Sequence, residues 1–351
     1  MLNVFIPQEK LEDIVIKNMA SSTNEADQDV WFKIFTKLKY IYISSLEEKK
    51  YLTTEDTLFL LEESYGIEIK YATKYIDSIS DHPESVTQYQ NGIFLLDISE
   101  EDAEAIQRDY GVICQSIKKM DYSVLMDPDL KFSLDKKDDN YTWYSMLERI
   151  DAAHIPSNHL IMIDRYLFAN EKELGNSLDN IYGILDAMLP THKLKCPYKV
   201  SIIIGEQQDG KGVALSYAAH KVYDMTSELD RPYPIDVEVF YHTHDSGLYS
   251  RTHNRYILTN YTITNAGYKL NAFDDDNSQC MQPIYVQGLF SINGLDGYCD
   301  SPHKSHNDLM LAIYNHLNWW IKHPTTEDCL SAYNGNVVPI NNIYQSKNQI
   351  N

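Results

Sequence analysis

One ten-residue segment, 252–261, reads Thr252-His253-Asn254-Arg255-Tyr256-Ile257-Leu258-Thr259-Asn260-Tyr261. Its apolar centre predicts a β-strand. Because side chains alternate between the two faces of a strand, His253 and Arg255 are expected to point the same way. An imidazole beside a fixed positive charge at an accessible strand surface suits a phosphate ester. We therefore expect this pair to form the main functional site.

The spacing His-x-Arg-x4-Asn resembles the His-x-Lys-x4-Asp signature of the phospholipase D superfamily, with Arg255 at the lysine position and Asn260 at the aspartate position. It is also similar to the phospholipase-D-like domain of the eukaryotic microtubule-interacting-and-trafficking proteins, whose fold serves binding. The resemblance implies a nucleophile or acid at His253 and a phosphate held by Arg255, whose guanidinium can bind bidentately. Asparagine cannot supply the charge of aspartate, so weakened or absent hydrolysis is expected.

The resemblance covers about residues 155–325 and implies further ligand-binding positions. Tyr256 and Thr259 belong to the signature itself. Glu206 is a further candidate from its position and not from the resemblance, because it follows an apolar strand, where α/β sheets place ligands. Active members of the family need two signatures, and this sequence contains one, so hydrolysis would require a homodimer.

A second candidate site is the run Tyr241-His242-Thr243-His244-Asp245. Two imidazoles on one face of a strand are a common beginning of a metal site. The run is similar to the opening of the metallo-β-lactamase motif, but the later Asp and His of that motif are missing. Two exposed histidines are the favoured interpretation, and a zinc or phosphate site formed by His242, His244 and His253 is the alternative. We expect no resident cofactor.

Composition limits the class of protein. Hydrophobic residues are 43% of the 351, which is enough for a core, and the net charge is −21. An acidic surface repels nucleic acid and anionic membranes at long range, so either would need a local site or a basic partner. No apolar run reaches the length of a membrane span, and the N-terminus does not look like a signal peptide. We expect a cytoplasmic protein.

The order of apolar segments predicts an α/β fold in two domains. Residues 1–125 form a smaller α/β domain without a recognisable motif, in which Ser99 begins a helix as its N-cap. Residues 126–154 are a polar, turn-rich linker. Residues 155–325 form a phospholipase-D-like mixed sheet covered by helices, and residues 326–351 are a polar tail.

Three local features of the second domain are also expected. A single strand over Tyr249–Ile263 carries the signature, and Ala266-Gly267 is the candidate turn of a hairpin that follows it. Asp164-Arg165 interrupts an apolar strand, which indicates either an ion pair inside the sheet or a strand end. His306, on the last long helix, is expected to face solvent or to pack on that helix.

Three functions remain open. The first is a phosphate-ligand-binding protein with degenerate catalysis, which the resemblance places in a prokaryotic conflict or phage-defence system. The second is a homodimeric phosphodiesterase or nuclease that uses His253 and Arg255. The third is a non-catalytic scaffold whose acidic surface, rich in the 27 tyrosines, holds a basic partner.

Overall fold

We analysed the protein as a computed structural model. The described residues are 2–20, 34, 38–45, 57–89, 91–120, 131–134, 142–145, 149–150, 155–169, 171–205, 212–242, 255–267, 270, 272–273, 283–289, 302–322 and 330–339. The chain divides into two compact units, Met1–Met126 and Asp127–Ile350.

The first unit alternates strands and helices, as expected. In chain order its main elements are β1 Asn3–Pro7, α1 Gln8–Ala20, β2 Tyr40–Ser44, α2 Thr57–Tyr65, β3 Glu68–Tyr71, α3 Thr73–Ser78, a 3-10 turn Pro83–Gln88, β4 Gly92–Leu96, α4 Glu100–Tyr110 and β5 Ile113–Ser116. Within the described residues, these strands form a parallel five-stranded sheet in the order β3-β2-β1-β4-β5.

Aromatic packing holds the centre of this sheet together. The Phe5 ring on β1 stacks on Tyr42 at 4.8 Å and on Phe94 at 4.7 Å between ring centroids. Such offset aromatic pairs stabilise a core beyond the area they bury. The Ser99 cap is confirmed, because its hydroxyl accepts a hydrogen bond from the Asp102 backbone N–H at 3.1 Å.

The second unit contains a larger sheet. In chain order its main elements are β6 Lys131–Leu134, β7 His159–Asp164, α5 Leu174–Met188, β8 Tyr198–Gly205, α6 Leu215–Thr226, β9 Ile235–His242, β10 Tyr256–Thr259, β11 Thr262–Asn265, β12 Ile284–Gly288, α7 Pro302–Lys322, β13 Leu330–Tyr333 and β14 Asn336–Pro339. The nine described strands follow the order β14-β13-β9-β8-β7-β10-β11-β12-β6. Strands β7, β8 and β9 are parallel, and β10 runs antiparallel to β7. The sheet is therefore mixed, and the predicted α/β class is confirmed.

The signature segment does not form one long strand. The chain reverses at Asn260-Tyr261, so that β10 and β11 make a hairpin in which Leu258 pairs with Ile263. The prediction of a continuous strand over Tyr249–Ile263 is wrong. The two Thr residues beside the turn explain the reversal, because Thr259 Oγ1 accepts the backbone N–H of Thr262 at 3.1 Å.

Parts of the predicted linker and tail belong to the second sheet. Strand β6 pairs with β12 at one edge, and Trp143, only 2% exposed, packs into the core and donates to Asn180 Oδ1 at 3.1 Å. At the other edge, β13 and β14 form a hairpin on β9. The predictions of a linker and a tail are wrong for these residues. In the predicted linker, the pairing of β6 and the burial of Trp143 order the chain, and in the predicted tail the pairing of β13 and β14 does so, although the surrounding sequence is polar.

One large apolar core fills the second unit on the α5 and α6 side of the sheet. Residues of alternate positions on β7, β8, β9 and β12 contribute to it, as strand geometry requires. They include Leu160, Met162, Val200, Ile202, Val237, Val239, Ile257, Ile284 and Val286. This packing holds the strands in a register that decides which polar groups meet at their ends.

Candidate functional site

Four strands bring their ends together at one side of the second unit. Strands β7, β8 and β9 are parallel, so their carboxyl ends, Asp164, Gly205 and His242, lie at the same end of the sheet. Strand β10 runs the other way and begins there, directly after Arg255. Ligands of α/β sheets bind at the carboxyl ends of the parallel strands. We call Asp164, Arg165, Tyr166, Gly205 and Arg255 the strand-end site.

Asp164 is the structural centre of the strand-end site. It is 1% exposed, and its carboxylate accepts three hydrogen bonds: from Arg255 Nε at 3.0 Å, from the Tyr166 backbone N–H at 2.8 Å and from the Leu270 backbone N–H at 2.8 Å. Burial raises the pKa of Asp164, while Arg255 and the two N–H groups oppose that shift. The carboxylate thereby connects the end of β7, the beginning of β10 and the chain beyond β11.

Arg255 is an internal cation. It is 3% exposed, and its guanidinium carbon lies 4.9 Å from the centre of the Tyr166 ring. The register explains the ion pair, because Tyr256 pairs with Ile163 and the preceding residue therefore faces Asp164. The expectation that this guanidinium stands at an accessible surface is wrong, since a buried carboxylate requires a buried cation beside it. Of the two expectations for Asp164-Arg165, the strand end is confirmed, because β7 ends at Asp164, and the ion pair of Asp164 is with Arg255.

Two neighbours of Asp164 reach solvent. Tyr166 is 51% exposed, and the guanidinium carbon of the partly exposed Arg165 lies 4.6 Å from its ring centre. The sequence marked Arg165 only as an interruption of an apolar strand, and it gave no signal for Tyr166. These two side chains add an accessible cation and an accessible aromatic ring, neither of which the sequence had assigned to the site.

Gly205 is required at the end of β8. A Cβ built on it would overlap the carbonyl oxygen of Arg165, which accepts the Gly205 backbone N–H at 3.1 Å. Only glycine allows two backbones to approach this closely. The close approach holds Arg165 beside β8.

The other end of β10 contains the remaining signature residues. Asn260 is fully buried at the hairpin turn, where its Oδ1 accepts the Asn158 backbone N–H at 3.0 Å and its Nδ2 donates to Asn158 Oδ1 at 2.9 Å. Thr259 is buried too, whereas Tyr256 is half-buried beside Arg255. At about 3.3 Å per residue, Arg255 and Asn260 are roughly 16 Å apart. The structure therefore does not bring Asn260 and Thr259 together with Arg255.

Two buried histidines lie near that hairpin end. His306 on α7 is fully buried, and its Nε2 is 2.9 Å from the carbonyl oxygen of Thr259. Burial lowers the pKa of His306 to about 4 and that of His159 to about 3. Both imidazoles are neutral at pH 7. His306 does not face solvent. It packs inside the protein, which was the alternative expectation.

Several predicted site residues lie outside the described residues. They are His253, His244 and Glu206. His242 ends β9 at the same end of the sheet as Arg255, but β8 and β7 separate the two strands, which places them about 14 Å apart. In the described ranges, no group of three or more His, Cys, Asp or Glu residues is arranged to hold a metal ion.

Among the helices that are described, none combines the length and the apolar character that crossing a bilayer requires.

Comparisons with known proteins add no assignment. No protein-family model and no curated protein matches the chain.

Proposed function

We propose that the second unit binds a phosphate-bearing ligand at the strand-end site and that it does so without efficient hydrolysis. The observation that supports this proposal is the ion pair between Asp164 and Arg255 at the carboxyl ends of three parallel strands. It fixes the beginning of β10 at the end of the sheet where α/β proteins bind ligands.

Arg165 is the cation that would contact the ligand. It is partly exposed, whereas Arg255 is buried against Asp164. A guanidinium stays charged and matches a phosphate bidentately. His253, two positions before Arg255 in the sequence, would supply a second donor. In this proposal Arg255 positions the site and does not touch the phosphate.

Binding is favoured over catalysis because two signature residues already form contacts inside the protein. Arg255 is paired with a carboxylate, and Asn260 is bonded to Asn158 at the far end of the strand. Neither is available to hold a phosphate or to orient His253. A phospholipase-D-like reaction would need both roles filled, which leaves binding as the function that the geometry supports best.

Calorimetric titration of the full chain with inorganic pyrophosphate tests the proposal. We expect Arg165→Gln to weaken binding about tenfold or more, because a charge-assisted hydrogen bond is lost. His253→Ala should also weaken it. Lys193→Gln is the matched control, since Lys193 is an exposed cation that precedes β8 and therefore lies toward the opposite end of the strands.

Two outcomes would contradict the proposal. Equal affinities of the wild type, Arg165→Gln and His253→Ala would exclude the strand-end site. Metal-independent hydrolysis of a generic phosphodiester that disappears in His253→Ala would replace binding with the homodimeric enzyme.

A further inference from the structure

Tyr166 presents an exposed aromatic ring beside two guanidinium groups. Its ring centre lies 4.6 Å from the Arg165 guanidinium carbon and 4.9 Å from that of Arg255, while half of the side chain remains exposed. An exposed ring beside a guanidinium is the combination that proteins use to stack nucleobases next to a phosphate.

The backbone around Tyr166 is ordered by specific contacts. Its N–H donates to Asp164 Oδ1 at 2.8 Å, and its carbonyl oxygen accepts the Ala169 N–H at 3.1 Å. The next two side chains, Leu167 and Phe168, are buried at 1% and 4% exposure. The turn therefore presents Tyr166 outward while its neighbours hold the turn to the core, and such preorganisation lowers the ordering cost of binding.

We propose that the strand-end site takes a nucleoside phosphate, with the base stacked on Tyr166 and the phosphate on Arg165. This inference rests on the phosphate-binding function proposed above and adds the ligand class. The ring is already in contact with two guanidinium groups, so a third cation such as a choline headgroup is repelled there. A neutral, planar base gains stacking without that repulsion.

The charge of the chain limits the size of the ligand. With a net charge of −21, the protein repels a long polyanion at a distance. A mononucleotide carries few phosphates and is therefore repelled less. Its single base gains the same stacking free energy on Tyr166 as one base of a longer strand. The charge therefore favours a single nucleotide over a nucleic-acid strand.

The test compares three probes by calorimetry on the full chain: adenosine 5′-monophosphate, ribose 5-phosphate and phosphorylcholine. We expect the nucleotide to bind about tenfold more tightly than ribose 5-phosphate, the gain from one stacked base. Tyr166→Leu should remove that preference, and Tyr166→Phe should keep it. Tyr217→Leu is the matched control, because Tyr217 is 50% exposed with the Lys221 ammonium 5.5 Å from its ring centre.

The outcomes separate this inference from the function beneath it. Equal binding of nucleotide and ribose 5-phosphate by the wild type, with both weakened by Arg165→Gln, overturns the stacking role and leaves phosphate binding intact. Tighter binding of phosphorylcholine than of the nucleotide also overturns it. Absence of binding for all three probes overturns both. The comparison of probes on the wild type needs no variant to fold.

Discussion

The two ends of strand β10 both bury polar groups, but they use different chemistry. At the strand-end site, Asp164 and Arg255 neutralise each other's charge, and Tyr166 and Arg165 beside them reach solvent. At the hairpin end, neutral groups such as Asn260 satisfy one another out of contact with water. The contrast indicates that one end can meet a ligand while the other end maintains the hairpin.

The largest expected effect is the loss of the carboxylate at the strand-end site. Asp164→Ala removes the carboxylate that neutralises the buried Arg255 cation, which costs about 3–5 kcal/mol of unfolding free energy. It also leaves the N–H groups of Tyr166 and Leu270 without their acceptor. Urea denaturation followed by circular dichroism measures this.

A double variant separates the charge from the packing. Asp164→Ala combined with Arg255→Leu also removes the buried cation that has lost Asp164, and we expect it to be more stable than Asp164→Ala alone. If the double variant is less stable than Asp164→Ala, the loss of the ion pair does not explain the destabilisation by the single change.

The second effect concerns the close approach beside Arg165. Gly205→Ala places a Cβ against the Arg165 carbonyl oxygen, and the backbone shift should cost about 3 kcal/mol. Gly175→Ala is the matched control in helix α5, where no atom lies within 4 Å of the added Cβ. That control should be neutral or stabilising by about 0.5–1 kcal/mol. Equal melting temperatures for the two variants would contradict the crowding at Gly205.

The third effect is a pH dependence at the hairpin end. The pKa of folded His306, about 4, lies below the unfolded value of 6.5, so between those pH values the unfolded state binds a proton that the folded state does not. Stability is therefore lost as pH falls through this window, by about 1.4 kcal/mol per pH unit for this histidine.

The variant His306→Gln isolates that contribution. Its side-chain amide can still donate to the Thr259 carbonyl oxygen, yet it does not titrate. From pH 6.5 to 5 we expect the wild type to lose about 1.6 kcal/mol more than the variant, since both share the other titrating groups. Parallel stability curves over this range would show that His306 is protonated in the folded state.

The sequence predicted the fold class better than the strand ends. Alternating apolar segments are sufficient for an α/β prediction, because each element must bury one face. The hairpin of β13 and β14 was missed although Asn334-Gly335 is a strong hairpin signal, with φ of 45° and 81° at the two residues. Polar composition around it suggested a tail. The turn at Asn260-Tyr261 was missed because it contains no glycine.

The candidate site was harder to predict, because its contacts join distant parts of the chain. Arg255 was found from a linear motif, whereas its partner Asp164 is 91 residues away. Spacing along the sequence places two side chains on one face of a strand, but it does not say whether a buried carboxylate lies opposite. For the same reason Tyr166 could not be found, since its exposure follows from the turn after β7.

The smallest expected effect lies at the hairpin end and tests the comparison directly. Asn260→Ala leaves the buried Asn158 N–H without its acceptor, which should cost about 1–2 kcal/mol of unfolding free energy. Pyrophosphate binding should be unchanged, because the strand-end site lies at the opposite end of β10. A tenfold loss of binding in a folded Asn260→Ala protein would mean that the two ends act together, and Asn260 would return to the functional role that its position in the signature implies.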